Sequence, residues 1–582
     1  MLIWNIMKDI AREFLKKLDE ESERLSRMVS EDELGVGFLT AIKEFDFYRY
    51  NYIRHRSTEE TDLHFHLLQL GMPRLITAIL SRVPQFPYPT LTFKSPPELI
   101  IGALEAVGAF GFVEHGKQFG YGVMAGECGI RKAGEQHYEI LIPNSMSSAE
   151  RVEASVESHY YRIGKKHYDT AIEEQFGKTG VKERLQTILQ DKVWVFRDSF
   201  IGYGAHPDLD DFFFGQSSVE LQQQPGYDSF NWRLQFGGVS MQKYILAITF
   251  FLSLALKHEA FAAALVKKEP KIRLRDILTI TCDKAEFRES LFAALDQYGP
   301  SYEGYVPLTD NEADTILRVL SVTRTSVELL KPTMASIPFL VEFSETAWIR
   351  CNAGIQQGGI DFLLNSLRYH FPKDYDRHQQ SREQSMQRAL RRILGEYIPK
   401  LSFVDNVRLR TNGRTVTDID FAVVDEFGFA LLFQLKHQDS YGGDIRQRSS
   451  RGGRLRAQCE NWLTAVRTWI ADNTETQLNR ALRMNAGKAL QKPRLVILTR
   501  HFAHFLSEVE LEQDAVYATW IQLFDALMRM HAEGRDVSLE SLFAVLSEYM
   551  SHLKAQDFDL DGLDTYHLEN LSFSVLPNSN TE

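Results

Sequence analysis

Three polar side chains interrupt two otherwise apolar strand-like runs in the last third of the chain. They are Asp420 in TDIDFAVV (417–424), and Gln434 and Lys436 in FALLFQLK (429–436). A turn around Glu426 to Gly428 separates the runs, so they read as neighbouring strands of a hairpin. Residues two apart on a strand share a face, so Gln434 and Lys436 point the same way and Asp420 can converge with them from the adjacent strand. A carboxylate with a second oxygen donor suits a hard cation such as Mg²⁺ or Mn²⁺, which keeps several waters and bridges to phosphate oxygens. Asp418, two residues before Asp420 on the same face, is a further ligand candidate or a holder of water. Burying a lysine and an aspartate beside Phe421, Leu432 and Phe433 is unfavourable unless they pair or bind a metal. The plainer alternative is a hairpin with an edge lysine and incidental polar residues.

The surrounding elements have an informative order. A helix is predicted from Glu383 to Tyr397, apolar at Met386, Leu390, Ile393 and Leu394 and stopped before Pro399. Strand-like FVDNVRLR (403–410) follows, a Thr-Asn-Gly turn at 411–413 leads into the Asp420 strand, and the Gln434 strand comes next. An Arg- and Gly-rich loop, DIRQRSSRGGRLR, then precedes a helix from about Leu455 to Ile470, and RLVILTR (494–500) supplies a fourth strand. The sum is α-β-β-β-α-β. The loop carries Arg446, Arg448, Arg451, Arg454 and Arg456, and the planar guanidinium fork suits phosphate because it donates two hydrogen bonds at once. Charge is concentrated here as well. Residues 381–500 carry 21 Lys and Arg against 12 Asp and Glu, while residues 501–582 carry 3 against 15, in a chain of net charge −12. A basic block between acidic flanks is the footprint of a module that touches phosphates.

Asp420 with Gln434-Leu435-Lys436, in this element order, resembles the PD-(D/E)XK nuclease superfamily over about residues 380–505. The resemblance implies a restriction-endonuclease-like α/β nuclease core, preceded by a large, mostly helical α+β region. It also implies an Mg²⁺- or Mn²⁺-dependent endo- or exodeoxyribonuclease. Gln434 stands where the family motif usually has Glu, a variant that resembles the Mrr-like branch. The motif implies Asp420 and Gln434 as metal ligands and Lys436 as the residue that positions the attacking water and stabilises transition-state charge. A Glu from the first helix often completes such a site; Glu383 is the first choice and Glu396 its competitor. Gln458-Cys459-Glu460-Asn461-Trp462 is similar to the Q-h-x-x-Y motif of the RecB-like branch, with Trp in place of Tyr, which makes Gln458 a nucleic-acid contact beside the arginines. By family habit the setting is prokaryotic restriction or anti-phage defence. DNA stands ahead of RNA as the partner. The competing expectation is a catalytically silent nucleic-acid-binding module.

The other residues give less. With 582 residues, 44% hydrophobic and 25% charged, the chain has the composition of a globular protein of several domains. The expected division is a mixed α+β domain (1–235), a mainly helical domain (236–375), the nuclease-like domain (380–510) and a helical extension with an acidic tail (511–582). Pro372 to Arg382 is the expected linker, and residues 1–375 are the expected surface for a protein partner or a second copy. Gly102 to Gly129 leads into the strand-like HYEILIP, which predicts a hairpin, and one strand is expected from Phe339 to Cys351. Four dispersed cysteines (Cys128, Cys282, Cys351, Cys459) offer no metal knuckle or disulfide framework, which suits a cytoplasmic setting. The start, MLIWNIMKDIAREFLKK, is broken at Lys8 and Asp9 and argues against a secretory signal. Ile245 to Leu256 is too short for a membrane span and reads as a buried helix. His64 and His66 in LHFHLLQL fit a helix better than a metal site, and HPDLDDFFF (206–214) fits a helix start.

Overall fold

The computed structural model describes residues 2–28, 34–54, 59–83, 86, 94–142, 162–163, 166–167, 169–170, 174, 181–332, 335–438, 445–483, 490–501, 511–551, 564–569 and 571–577. The chain is a mixed α/β protein with several small sheets, divided into two compact units. Unit 1 comprises Met1–Leu141, Tyr161–Arg377 and Leu563–Leu576; unit 2 comprises Ile142–Tyr160, His378–Gly562 and Pro577–Glu582.

Unit 1 begins with four long helices, α1 (Leu2–Met28), α2 (Leu34–Arg54), α3 (Glu59–Leu80) and α4 (Pro97–Ala125). Gly71 of α3 and Gly111 of α4 let the two backbones meet, because a Cβ at either would fall within 2.1 Å of a carbonyl oxygen of the other helix. The Gly-rich stretch is thus largely helical, and the expected hairpin follows it as β1 (Gly129–Lys132) and β2 (His137–Ile142). Then come α5 (Val181–Asp191), β3 (Val193–Phe196), β4 (Phe200–Tyr203) and α6 (Pro207–Gln222). His206 caps α6, so HPDLDDFFF is a helix start. After the short β5 (Gln235–Phe236) and β6 (Val239–Ser240) runs α7 (Met241–Lys268), whose Ile245–Leu252 stretch is buried throughout. Helices α4 and α7 are long and apolar enough to cross a membrane by length and composition alone; 72% of the apolar window of α7 is buried inside the protein.

Farther along are β7 (Ile280–Asp283), α8 (Lys284–Tyr298), α9 (Asp310–Val319), β8 (Ser321–Val322), β9 (Leu340–Glu342), β10 (Ala347–Arg350) and α10 (Asn352–His370). The single strand expected from Phe339 to Cys351 is therefore two, paired antiparallel in a sheet of order β7-β10-β9-β8.

Helix α11 (Pro372–Tyr397) corrects the expected linker. The polar run Pro372 to Arg382 is its first part, and the boundary between units falls inside the helix, after Arg377. Two tertiary anchors in unit 1 explain why so polar a stretch is ordered. Tyr375 is 1% exposed in an apolar core, and Asp374 accepts the Gly237 N–H at 2.9 Å.

Unit 2 is built on a five-stranded sheet of order β11-β12-β13-β14-β15, with β11 (Ser402–Thr411), β12 (Arg414–Val424), β13 (Ala430–Lys436), β14 (Arg494–Thr499) and β15 (Ala515–Thr519). The first three strands are antiparallel and the last three parallel. Asn412 and Gly413, with φ of 52° and 80°, make the β11–β12 turn, the primed geometry that suits twisted strands. The β13–β14 crossover contains α12 (Ile445–Asp472) and α13 (Glu475–Ala481). Helix α12 is a second correction, because it takes in the arginine stretch read as a loop. Its buried stripe of Gly452, Leu455, Cys459, Trp462, Val466 and Trp469 recurs at helical spacing and extends across the glycines.

Residues 511–582, expected to be helical, also contain strands. Strand β15 joins the sheet, α14 (Trp520–Ala532) and α15 (Leu539–Ser551) follow, and β16 (Asp564–Leu568) and β17 (Leu571–Pro577) complete a sheet of order β1-β2-β17-β16. Of the acidic tail, Asp557, Asp559 and Asp561 lie outside the described residues. The unit 2 sheet is packed on both faces. Met386, Leu390 and Leu394 of α11, with α14 and α15, meet Phe421, Leu431, Phe433 and Val496 on one face, while α12 and α13 meet Ile419, Ala422, Leu432 and Leu495 on the other.

Candidate active site

The antiparallel ladder between β12 and β13 runs from Val424 opposite Ala430 to Phe421 opposite Phe433. At the next step the Asp420 side chain takes over from the backbone. Its Oδ2 accepts the Leu435 N–H at 2.7 Å and the side-chain amide of Gln434. Beyond Asp420 the strands no longer pair, and Lys436 lies at the carboxyl end of β13, where β13 runs parallel to β14 with Lys436 opposite Thr499. The carboxyl ends of parallel strands are the usual ligand side of α/β sheets.

Asp420 and Gln434 are 9% and 6% exposed. Burial raises the Asp420 carboxyl to about 6; the Leu435 hydrogen bond and Lys436 oppose the rise, while Glu383 and Asp418 add to it. Burial likewise pushes Glu383 above the ordinary carboxylate range, with Lys436 opposing and Asp418 adding. The structure therefore brings Asp420, Gln434, Lys436, Glu383 and Asp418 into one electrostatic neighbourhood. Glu396 is exposed and sits 13 residues further along α11, roughly 20 Å at 1.5 Å per residue. Between the two glutamates, only Glu383 shares the site.

Gln387 is a site residue that the sequence reasoning missed. It is 8% exposed, one helical turn after Glu383, and its Nε2 donates to the Asp420 carbonyl at 2.9 Å and to Asn406 Oδ1 at 3.0 Å. Asn406 has a φ of 52° and lies opposite Asp420, between the Asp405–Phe421 and Val407–Ile419 pairs of the β11–β12 ladder. Gln387 thereby ties α11, and Glu383 with it, to the point where the carboxylate leaves the ladder. The available signal was the i,i+4 spacing from Glu383.

On the other face, Trp462 Nε1 donates to the Asp418 carbonyl at 2.7 Å, and Trp469 Nε1 donates to the Arg410 carbonyl at 3.0 Å. Two indoles two turns apart pin α12 across β11 and β12. Cys459 is buried and electrostatically coupled to Lys436; burial raises its thiol to about 11, an inert range. Arg454 and Gln458 are exposed on α12. Arg446, Arg448 and Arg451 belong to the helix, with side chains outside the described set.

Two carboxylates and an amide, all hard oxygen donors, fit a cation that retains most of its water. Among the described residues no group of three His, Cys, Asp or Glu side chains is arranged to hold a metal, so Gln434 would have to turn its amide oxygen inward. Crowded, partly buried carboxylates whose proton affinities are raised are relieved by added positive charge, which is the physical ground for the fit. No family model, curated protein or solved structure matches this chain.

Proposed function

We propose that unit 2 is a metal-dependent phosphodiesterase acting on DNA, with a core of the restriction-endonuclease-like kind. The supporting observation is the convergence of Glu383, Asp420, Gln434 and Lys436 where β12 and β13 part, with both carboxyls pushed upward by burial. A divalent cation held by Asp420, Glu383 and the Gln434 oxygen would supply Lewis acidity toward a phosphate oxygen and a more acidic bound water. The Lys436 ammonium orients the attacking water and opposes the negative charge that grows on phosphorus-bound oxygens. Arg454 and Gln458, exposed on α12, donate to the sugar-phosphate backbone. Residues 1–375 recognise a substrate feature or a partner, as befits a restriction or anti-phage defence enzyme.

A second reading has its own support. Asp420 Oδ2 is already occupied by two N–H donors, the arrangement of a carboxylate used as a structural acceptor in a silent nucleic-acid-binding module. Cleavage of plasmid, single-stranded DNA and RNA, with and without Mg²⁺ or Mn²⁺, separates the two. The enzyme reading expects metal-dependent cleavage that Asp420→Ala and Lys436→Ala abolish, with DNA binding retained. Wild-type protein that binds DNA and cuts nothing with either metal leaves the silent module.

A further inference from the structure

Among the chain's seven tryptophans, Trp194 alone is exposed, and it lies in unit 1 far in sequence from the site above. Strands β3 and β4 form a hairpin with Trp194 opposite Gly202 and Phe196 opposite Phe200. Alternation along β3 sends Val193, 1% exposed, toward α7 and turns Trp194 and Phe196 outward, 47% and 48% exposed. Tyr203 fixes the inner face by stacking on Phe261 of α7 at 4.4 Å between ring centroids and 8° between planes.

The outer face is a low, flat strip. A Cβ at Gly202 would come within 2.5 Å of Trp194 Nε1, so the indole lies directly over bare backbone. Lys192 runs similarly over Gly204, its Cδ 3.6 Å from where a Cβ would stand. At the other end the Arg197 guanidinium sits 5.2 Å from the centroid of Phe196. The order is therefore cation, ring, ring, cation. Lys268 Nζ donates to the Gln190 and Val193 carbonyls at 3.2 and 3.1 Å, which brings the C-terminal end of α7, with exposed Lys267 and nearby Lys271, to the base of the hairpin. Residues 191–203 and 267–271 carry Lys192, Arg197, Lys267, Lys268 and Lys271 against Asp191, Asp198 and Glu269, in a chain whose net charge is −12.

Adjacent exposed aromatics mark a docking surface, and the flanking cations identify what docks. Rings on alternate residues of a strand stand roughly 7 Å apart and present π faces to bases, while the cations meet phosphates. A duplex hides its base faces. We propose that this strip binds single-stranded nucleic acid, with bases stacked on Trp194 and Phe196 and phosphates held by Lys192 and Arg197. The choice of polymer rests on the proposed function; the surface itself uses none of the residues of that site.

The test measures binding of labelled oligo-dT, oligo-rU and a duplex of equal length by full-length protein in EDTA, beside metal-dependent cleavage by the same preparations. Trp194→Thr with Phe196→Thr should weaken both single strands by roughly 5- to 150-fold per ring and leave the duplex unchanged. Trp194→Tyr should restore most of the loss, which a merely structural role in covering Gly202 would not predict for a hairpin that is folded in both variants by circular dichroism. Lys192→Ala with Arg197→Ala should lower the salt slope by roughly 1 to 2. The proposal is overturned if wild type binds neither oligonucleotide, if the double threonine variant binds them as wild type does, or if duplex and single strands weaken together. A change in sedimentation without a change in binding assigns the strip to a second copy and also overturns it. Cleavage that persists while single-strand binding fails refutes the strip alone, and strip-dependent binding without cleavage refutes the phosphodiesterase alone.

Discussion

Asp420→Asn should make the protein more stable at neutral pH while abolishing cleavage, and the gain should have a defined pH profile. Burial holds the Asp420 proton to about pH 6 in the native state, against an ordinary value near 3.8. The folded value of an acid is raised here, so between these limits the native state binds more protons than the unfolded state. Stability then falls as pH rises through that window and is level above it. At 1.36 kcal/mol per unit the loss approaches about 3 kcal/mol by pH 6.5, in a side chain buried well enough that solvent screening takes little of it. Asparagine keeps an oxygen for the Leu435 N–H and can pair its amide with a flipped Gln434, so it escapes the charge penalty without orphaning a donor. Urea titrations followed by hydrogen exchange in peptides covering β11–β13 should show the gain of Asp420→Asn on wild type growing from about 0.5 kcal/mol at pH 4 to about 3 kcal/mol at pH 6.5. Mg²⁺ at ten times its dissociation constant should stabilise wild type by about 1.4 kcal/mol and the variant hardly at all. A pH-independent gap, or a variant less stable than wild type at pH 7, would refute the view of Asp420 as a charge held at a cost for function.

Gln434→Glu places a carboxylate in direct contact with Asp420, and should lower metal-free stability by roughly 1–3 kcal/mol while strengthening Mg²⁺ binding in calorimetry; unchanged metal affinity counts against Gln434 as a ligand. Gln387→Met removes one buried and one half-buried hydrogen bond at similar volume and should cost about 2 kcal/mol in chemical unfolding. It should also lower the cleavage rate with little change in DNA affinity, and an unchanged rate would leave Gln387 a purely structural tie. Arg451→Ala with Arg454→Ala should reduce the log-log salt slope of DNA binding by up to about 2 with the fold intact, and an unaltered slope removes α12 from the DNA surface.

Legibility in the sequence tracked how locally each element is determined. The strands around Asp420 could be read because Asn412-Gly413 and Gly428, all at positive φ, punctuate apolar runs that alternate with polar residues. The choice of Glu383 over Glu396 needed the structure, since it turns on which part of α11 passes the sheet. Where helix formation depends on tertiary anchors, the sequence was misleading. Pro372–Arg382 carries one apolar residue, Tyr375, and that one is buried in unit 1. The arginine stretch hid its helix because Gly452 and Gly453 are poor helix formers, yet Gly452 is buried on the same stripe as Leu455 and Cys459. Strand β15, AVYAT, is buried at every position, so no period of two survives to separate it from a core helix.

Gln387 shows why the positioning of a site is harder to read than its chemistry. Asp420, Gln434 and Lys436 announce themselves as polar intrusions in apolar strands, because strand environments penalise them. Gln387 sits in a helix among Glu, Gln and Arg, where its i,i+4 spacing from Glu383 does not stand out from its neighbours. Its importance comes from Asn406, whose left-handed φ of 52° falls opposite Asp420, between the Asp405–Phe421 and Val407–Ile419 pairs of one continuous register. An irregular strand leaves a carbonyl that needs a donor, and the donor must come from whatever element packs there. The left-handed asparagine, the amide and the carboxylate are therefore one device. If it serves catalysis, Asn406→Gly, which keeps the backbone conformation and removes the Gln387 partner, should lower cleavage in step with Gln387→Met, and the two changes together should cost little more than either alone. Additive losses would show that the two residues act independently.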